Sequence, residues 1–358
     1  MAKKIAIIIP DVNVVGGAEF VAKRLATNLV NEGYAVTLVS LFSSDKNSYS
    51  DDFLFTIRHL NLIKPKTLFQ RLKLIFNRMA MLNDYDVVIG NNTYRYYLSP
   101  YWNKSHKKIE IQHMCYQENY FDNSFQSKFK LAWRNFNYSF LDGLVCLTNK
   151  DAKRFEYKGI KNTTVIENFI DVTDLKKGKD CHSYKRCVSF GRLTEQKGFE
   201  RIFDLWSKIS RDFPEWKWDI YGEGELEQHL RNELSVRGIS ESVTIRNFTT
   251  MVDKEMETSS ILLFPSRYEG FPLTLLEAMS CGLPCISFDC DSGPSEIIIN
   301  GENGYVVEDN DLSSFEVKLR ELISQPSKLD NMSSKAIESV EKFGWKKIKR
   351  KWQYVLDE

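Results

Sequence analysis

The sequence holds no apolar run long enough to cross a bilayer, where a spanning helix needs about 20 mostly apolar residues. It lacks an excess of either charge, with 49 Lys and Arg against 48 Asp and Glu. A protein that holds nucleic acid by its phosphates carries a basic surplus, so nucleic acid is not expected among the partners. The seven cysteines, Cys115, Cys146, Cys181, Cys187, Cys281, Cys285 and Cys290, show none of the paired short spacing of a zinc site. Most read as small buried hydrophobes. The first apolar run, residues 5–9, is cut by Pro10 and Asp11 and is too short for the core of a signal peptide. The expected compartment is the cytoplasm, with any membrane contact peripheral and on the inner face of the cytoplasmic membrane.

What the chain does have is alternation. Apolar runs of strand length at 4–10, 35–42, 55–62, 86–91, 108–114 and 143–148 are separated by helical stretches, the pattern of a doubly wound parallel sheet. A polar, aperiodic stretch centred on 171–184 reads as a linker. A second series then begins: strand 186–191, helix 198–212, strand 217–221, helix 226–237, strand 243–248. Two such sheets give an α/β protein of 358 residues in two domains, a length that suits two cores better than one. The expected division is 1–170, a linker at 171–184, a second domain at 185–340, and a terminal helix within 341–358.

The most informative stretch runs from Arg267 to Met279. An apolar strand at 260–265 leads through Glu269, Gly270, Phe271 and Pro272 into a helix whose apolar positions are Leu273, Leu276 and Met279. Free backbone N–H groups at such a start, around Pro272, Leu273 and Thr274, make an anion site. Glu269 lies at its rim and Glu277 inside the helix. A capping or solvated role for both glutamates is the plainer alternative. A second loop, Gly191 to Gly198, follows strand 186–191 and sets Arg192 and Lys197 five residues apart, a pair of cations suited to clamping a diphosphate.

Together these two segments resemble the retaining nucleotide-sugar glycosyltransferases of family 4, which include sucrose synthase, glycogen synthase-like and lipopolysaccharide enzymes. The likeness covers most of the chain and is strongest over 185–307. It implies the GT-B architecture: two Rossmann-like doubly wound domains facing across a cleft, the first on the acceptor side and the second binding the nucleotide sugar. In that architecture the terminal helix usually crosses back to the first domain. The resemblance also implies a UDP-sugar as co-substrate; no further cofactor is expected, and no metal, because Arg192 and Lys197 already supply positive charge. It gives Glu277 the ribose hydroxyls and Glu269 the sugar hydroxyls or the charge at the anomeric carbon. The turn at Gly222 and the loop end at Phe248 and Thr249 would line the base pocket, although a plain strand-to-helix turn explains Gly222 equally well. Asp289 and Asp291, a metal signature in a different glycosyltransferase architecture, read here as incidental.

In the first domain, strand, Gly16, Gly17 and helix follow in phosphate-binding order, without the three-glycine dinucleotide pattern that a nicotinamide or flavin site requires. By resemblance the pair sits under the donor phosphates or the acceptor; a tight turn needing small residues is the alternative. Asn91 and Asn92 end one strand and His113 another, where ligands of such sheets lie. His113 resembles the family histidine that touches the donor sugar, against the common reading of a lone histidine as structural. Residues 60–140 carry twelve Lys and Arg against five Asp and Glu. Two amphipathic helices fall there, at 64–82 and 126–140, the second with Phe129, Trp133 and Phe136 among Lys128, Lys130 and Arg134. Such helices suit an anionic membrane surface or the protein's own core.

The expected activity is therefore transfer of a hexose or N-acetylhexosamine from the nucleotide sugar to a glycan acceptor, lipid-linked, in envelope polysaccharide or lipopolysaccharide synthesis. Arg192, Lys197, Glu269 and His113 are the residues expected to act on the reacting groups. A phosphorylase or nucleotide-sugar epimerase on the same plan, or a non-catalytic binding subunit, are the rival readings.

Overall fold

The structure is a computed structural model that describes residues 2–14, 16–42, 53–62, 82–91, 106–116, 125–171 and 181–358. The expected helix at 64–82 and Asn92 lie outside those residues, apart from Leu82. The chain divides into two compact units, one formed by Met1–Asn168 with Lys349–Glu358 and the other by Phe169–Ile348.

Among the described residues the first unit has seven strands: β1 Lys4–Ile9, β2 Ala35–Ser40, β3 Thr56–His59, β4 Val87–Asn91, β5 Lys107–Gln112, β6 Gly143–Cys146 and β7 Thr163–Val165. They lie in the order β3-β2-β1-β4-β5-β6-β7 and every pairing is parallel. Ile5 to Ile9 are all buried, as expected of a central parallel strand covered on both faces. β7 has the sequence Thr-Thr-Val and is half-buried, too short and too polar for its pattern to announce a strand.

Three described helices belong to this unit: α1 Gly17–Asn31, α2 Phe125–Tyr138 and α3 Asn149–Tyr157. Helix α3 opens with Thr148, whose hydroxyl accepts from the Asp151 amide, satisfying one of the donors a helix start leaves over. Helix α2 is apolar on two sides. Leu131 and Tyr138 pack inward with Phe155 and Ala152, while Phe129, Trp133 and Phe136 are 62%, 45% and 56% exposed. Both sets recur at helical spacing, so pattern alone does not say which faces the core. Arg134, which reads as surface in the sequence, is fully buried. Its guanidinium lies 4.8 Å from the Tyr116 ring and 4.9 Å from the Phe155 ring, where the aromatic faces stabilise the cation.

Among the described residues the second unit has six strands: β8 Arg186–Phe190, β9 Lys217–Tyr221, β10 Val243–Arg246, β11 Ile261–Phe264, β12 Cys285–Asp289 and β13 Gly304–Glu308. Their order is β10-β9-β8-β11-β12-β13, again all parallel. The helices are α4 Phe203–Asp212, α5 Glu227–Val236, α6 Val252–Glu257, α7 Leu273–Ser280, α8 Pro294–Ile297, α9 Leu312–Ser324 and α10 Pro326–Val340. Helix α4 begins at Phe203, not near 198: Gly198 sits in the left-handed region at φ 58 and two 3-10 turns precede the helix. Phe203, Leu205, Trp206 and Ile209 turn its apolar stripe onto the sheet, where Trp206 meets Trp218 at 5.5 Å.

The last helix, α11 Trp345–Asp357, passes the boundary, with residues from Lys349 onward belonging to the first unit. Lys3 donates to Leu356 O at 2.7 Å and pairs with Asp357 at 3.1 Å. Lys349 meets Glu32 at 3.2 Å and Lys351 meets Glu167 at 2.6 Å.

In both sheets the chain runs outward from a central strand, returns, and continues on the other side. The reversal lies between β1 and β4 in the first unit and between β8 and β11 in the second. Loops leaving the C-terminal ends of such neighbours diverge to opposite faces and leave a crevice for a ligand.

Candidate functional site

In the second unit the crevice falls between the loop after β8 and the loop after β11. The first carries Arg192 and Lys197; the second carries Glu269 and enters α7. Lys197 Nζ donates to Glu269 Oε1 at 2.6 Å, with both side chains largely buried, and lies 5.5 Å from the Phe264 ring. Arg192 is exposed and makes no ion pair or side-chain hydrogen bond among the described residues. The structure therefore brings Lys197 and Glu269 into one ion pair and leaves Arg192 open to solvent.

Gly270, Phe271 and Pro272 are buried in the approach to α7. Pro272 has ψ 113 and caps the helix from outside, one position earlier than a proline in the first turn. The Leu275 amide bonds to Pro272 O, so Leu273 and Thr274 supply the leading donors of the helix start. An anion there gains from both the amides and the helix dipole. Glu277 is half-buried just over one turn further on.

The neighbouring turn after β9 is set by packing. A Cβ on Gly222 would stand 1.9 Å from Gly191 O, and one on Gly224 would stand 2.4 Å from Leu193 O. Glycine at 222 lets this turn lie directly on the loop that carries Arg192. Below it, Tyr221 stacks on Phe190 at 5.1 Å and donates to Glu255 at 2.6 Å. Arg186 joins Asp219 and Glu255, each at 2.7 Å. Burial, and then the bond to Glu255, push the Tyr221 hydroxyl up to about 12. Phe248 stands 51% exposed beyond β10, a ring available for stacking. Thr249 Oγ1 takes the Met251 amide at 3.0 Å.

In the first unit, Gly16 caps α1 with extended backbone and Gly17 is its first residue. A Cβ on Gly17 would meet nothing within 4 Å, so internal packing does not demand glycine there. Asn91, at the end of β4, donates from Nδ2 to Ala18 O at 3.1 Å, and its Oδ1 pairs with His113 Nε2. An amide oxygen only accepts, so this chain assigns the proton to Nε2. Burial pushes the His113 ring down to about 4, and the imidazole is neutral at physiological pH. Asp289 ends β12. Among the described residues no group of three or more His, Cys, Asp or Glu side chains is arranged to hold a metal ion.

Comparison with known proteins settles the family. A model described as Glycosyltransferase Family 4 matches residues 15–174, and one described as Glycosyl transferases group 1 matches residues 173–339. The chain belongs to glycosyltransferase family 4. The amylovoran biosynthesis glycosyltransferase AmsD of Erwinia amylovora is 29% identical over 364 residues, 99% of each chain. Among solved structures, S. aureus TarM with fondaparinux, α-GlcNAc-glycerol and UDP superposes with a TM-score of 0.84 at 15% identity, covering 99% of this chain and 100% of that one. Anabaena HepE with UDP gives 0.82 at 16% identity, covering 99% of each. At such identities the likeness fixes the fold, which is GT-B.

For a glycosyltransferase the paired Lys197 is informative, because an ammonium held by a single carboxylate keeps two further donors for an incoming ligand. Sequence reasoning named Arg192, Lys197, Glu269 and Glu277. It missed the arginines that hold their loops, Arg201 and Arg267, and the half-buried Arg186 cluster behind Tyr221. Arg267 lay inside the stretch that drew attention first, and only its partners across the fold reveal its use.

Proposed function

We propose that this glycosyltransferase moves a hexose or N-acetylhexosamine from a UDP-sugar, with retention, to a lipid-linked glycan acceptor in bacterial envelope polysaccharide synthesis. The observation that carries the proposal is the Lys197–Glu269 pair at 2.6 Å beside the start of α7. As the bond from the anomeric carbon to the diphosphate breaks, negative charge grows on the leaving oxygens. Fixed cations and N–H donors stabilise that charge more than they stabilise the ground state. Lys197, Arg192 and the amides of Leu273 and Thr274 are assigned this work, and Glu277 the ribose hydroxyls.

Retention follows a front-face course in this reading. The acceptor hydroxyl forms its bond to the anomeric carbon on the face the diphosphate leaves, and its proton passes to the departing phosphate oxygen. Glu269 acts electrostatically and is not a nucleophile. His113, in the first unit, is assigned the role of a neutral hydrogen-bonding group. The UDP in the TarM and HepE structures supports the choice of nucleotide, and the AmsD likeness supports the polysaccharide setting.

The same proposal places α2 of the first unit on an anionic membrane. Its exposed Phe129, Trp133 and Phe136, flanked by exposed Lys128 and Lys130, give an apolar face with a cationic edge. No described helix is long and apolar enough to cross a membrane, so contact of this kind is peripheral.

Thermal shift with a panel of nucleotide sugars tests the donor. A true donor at 100 times its Kd stabilises by about 2.7 kcal/mol, and UDP-sugars are expected to raise Tm where GDP- and ADP-sugars do not. A shift confined to another nucleotide would replace UDP; no shift with any of them would remove the donor site from this unit.

A further inference from the structure

Two loops of the second unit are stitched together by side chains other than the clamp residues Arg192, Lys197 and Glu269. The Arg267 amide donates to Gln196 O at 2.8 Å, and Gln196 Nε2 donates back to Tyr268 O at 3.0 Å. Arg267 Nε reaches Glu195 O at 3.1 Å and its Nη2 reaches Glu200 at 2.7 Å. Four residues after Lys197 comes Arg201, whose side chain is 5% exposed. Its Nη1 donates to Pro265 O at 2.8 Å and to Ser266 O at 3.1 Å. Its Nη2 donates to Asp309 at 2.5 Å and to Asn310 at 2.8 Å, while Cζ lies 4.1 Å from the Phe288 ring.

One guanidinium thus joins three segments: the loop that bears Lys197, the strand end three residues before Glu269, and the turn after β13. The approach is close enough that a Cβ on Gly198 would stand 2.7 Å from Arg201 Cδ and 2.8 Å from Pro265 O. The planar fork fixes direction as well as distance, which a lysine ammonium does not do. The Lys197–Glu269 pair closes at the far end of this framework.

We infer that Arg201 is a positioning residue for diphosphate recognition: it holds the Lys197 ammonium where a β-phosphate arrives, without touching the nucleotide. This rests on the donor reading above. A small displacement of a preorganised charge lowers its effect steeply, whereas the base contacts lie on the turns after β9 and β10 and the ribose contact, Glu277, is held within α7 itself, none of them bonded to Arg201. The role therefore predicts a loss confined to the second phosphate.

The test is calorimetric binding of UDP and of UMP to wild type, Arg201→Met and Arg201→Lys, with Lys197→Ala as the reference for a lost clamp. Wild type is expected to prefer UDP. In Arg201→Met that preference should fall about 10-fold, with UMP affinity held within about 2-fold. Arg201→Lys keeps the charge over Phe288 but not the fork, and the same loss is expected of it; it carries the test if Arg201→Met does not fold. UDP and UMP weakened equally in folded Arg201→Lys, or the UDP preference retained in full, overturns the positioning role alone. A wild type that binds UDP no better than UMP overturns the diphosphate reading and this role with it.

Discussion

The two units handle polar chemistry in opposite ways. In the second, charge is kept and paired: Lys197 with Glu269, Arg201 with Asp309 and Arg267 with Glu200 make a framework of ions around one loop junction. In the first, the equivalent strand ends hold a neutral relay, His113 to Asn91 to the α1 backbone. A site that must meet a developing negative charge benefits from cations already oriented, whose cost of desolvation is offset by a partner. A site that hydrogen-bonds hydroxyls benefits from a group whose tautomer is fixed and whose charge does not vary with pH.

The comparison breaks most easily at its charged end. Lys197→Ala and Arg192→Ala are each expected to lower turnover on the order of 100-fold, as loss of one preorganised donor does, with the fold intact by circular dichroism. Wild-type rates in both folded variants would dissolve the clamp.

At the neutral end the expected effect is on stability. Burial holds native His113 near 4 against an ordinary value of 6.5, so the unfolded chain takes up a proton that the native state refuses. Its contribution is complete above about pH 6.5 and is lost as pH falls through the window to about 4, up to about 3 kcal/mol. Urea unfolding of wild type and His113→Gln should show their stability gap narrowing between about pH 7.5 and about pH 4.5. Parallel losses in the two proteins would mean that His113 is charged or exposed.

A smaller effect sharpens the difference in surfaces. Each cation near an anionic bilayer contributes about 1 kcal/mol, and salt screens it. Sedimentation with anionic liposomes at low salt is expected to exceed that with neutral ones, and serine at Phe129, Trp133 and Phe136 should weaken it about 10-fold. Equal, negligible binding to both lipids would return α2 to an ordinary solvated helix. The smallest expected effect is that of chelation: activity should persist in EDTA if side chains and a helix start carry the charge work as proposed. Loss in EDTA with recovery in manganese would promote Asp289 and Asp291 to ligands.

Much of this was legible in the residues because a covered parallel strand is apolar along its whole length; Ile5 to Ile9 and Ile261 to Phe264 announce themselves. The place of Lys197 and Glu269 on strand-to-helix loops was legible because each loop follows an apolar strand and leads into a helical pattern; that the two side chains pair was not. What escaped has physical reasons. β7 is three residues long and only half-buried. The start of α4 depends on a left-handed glycine and on contacts distant in sequence. Arg134 looks like a surface cation and is enclosed by two rings. The direction α2 turns is undetermined by a pattern that satisfies helical spacing on both sides. Arg201 belongs to no motif, and its partners lie 64 to 109 positions away.

The terminal helix also sets an order of assembly. The bond from Lys3 to Leu356 spans 353 positions, and Lys349–Glu358 belong to the first unit. An emerging polypeptide therefore holds the second unit as far as Ile348 before it holds Lys349–Glu358 of the first. Domains fold as units during synthesis, so the half made earliest waits for a piece made late, and a chain stopped at Ile348 would leave Lys3 and Glu32 without the partners they meet in α11.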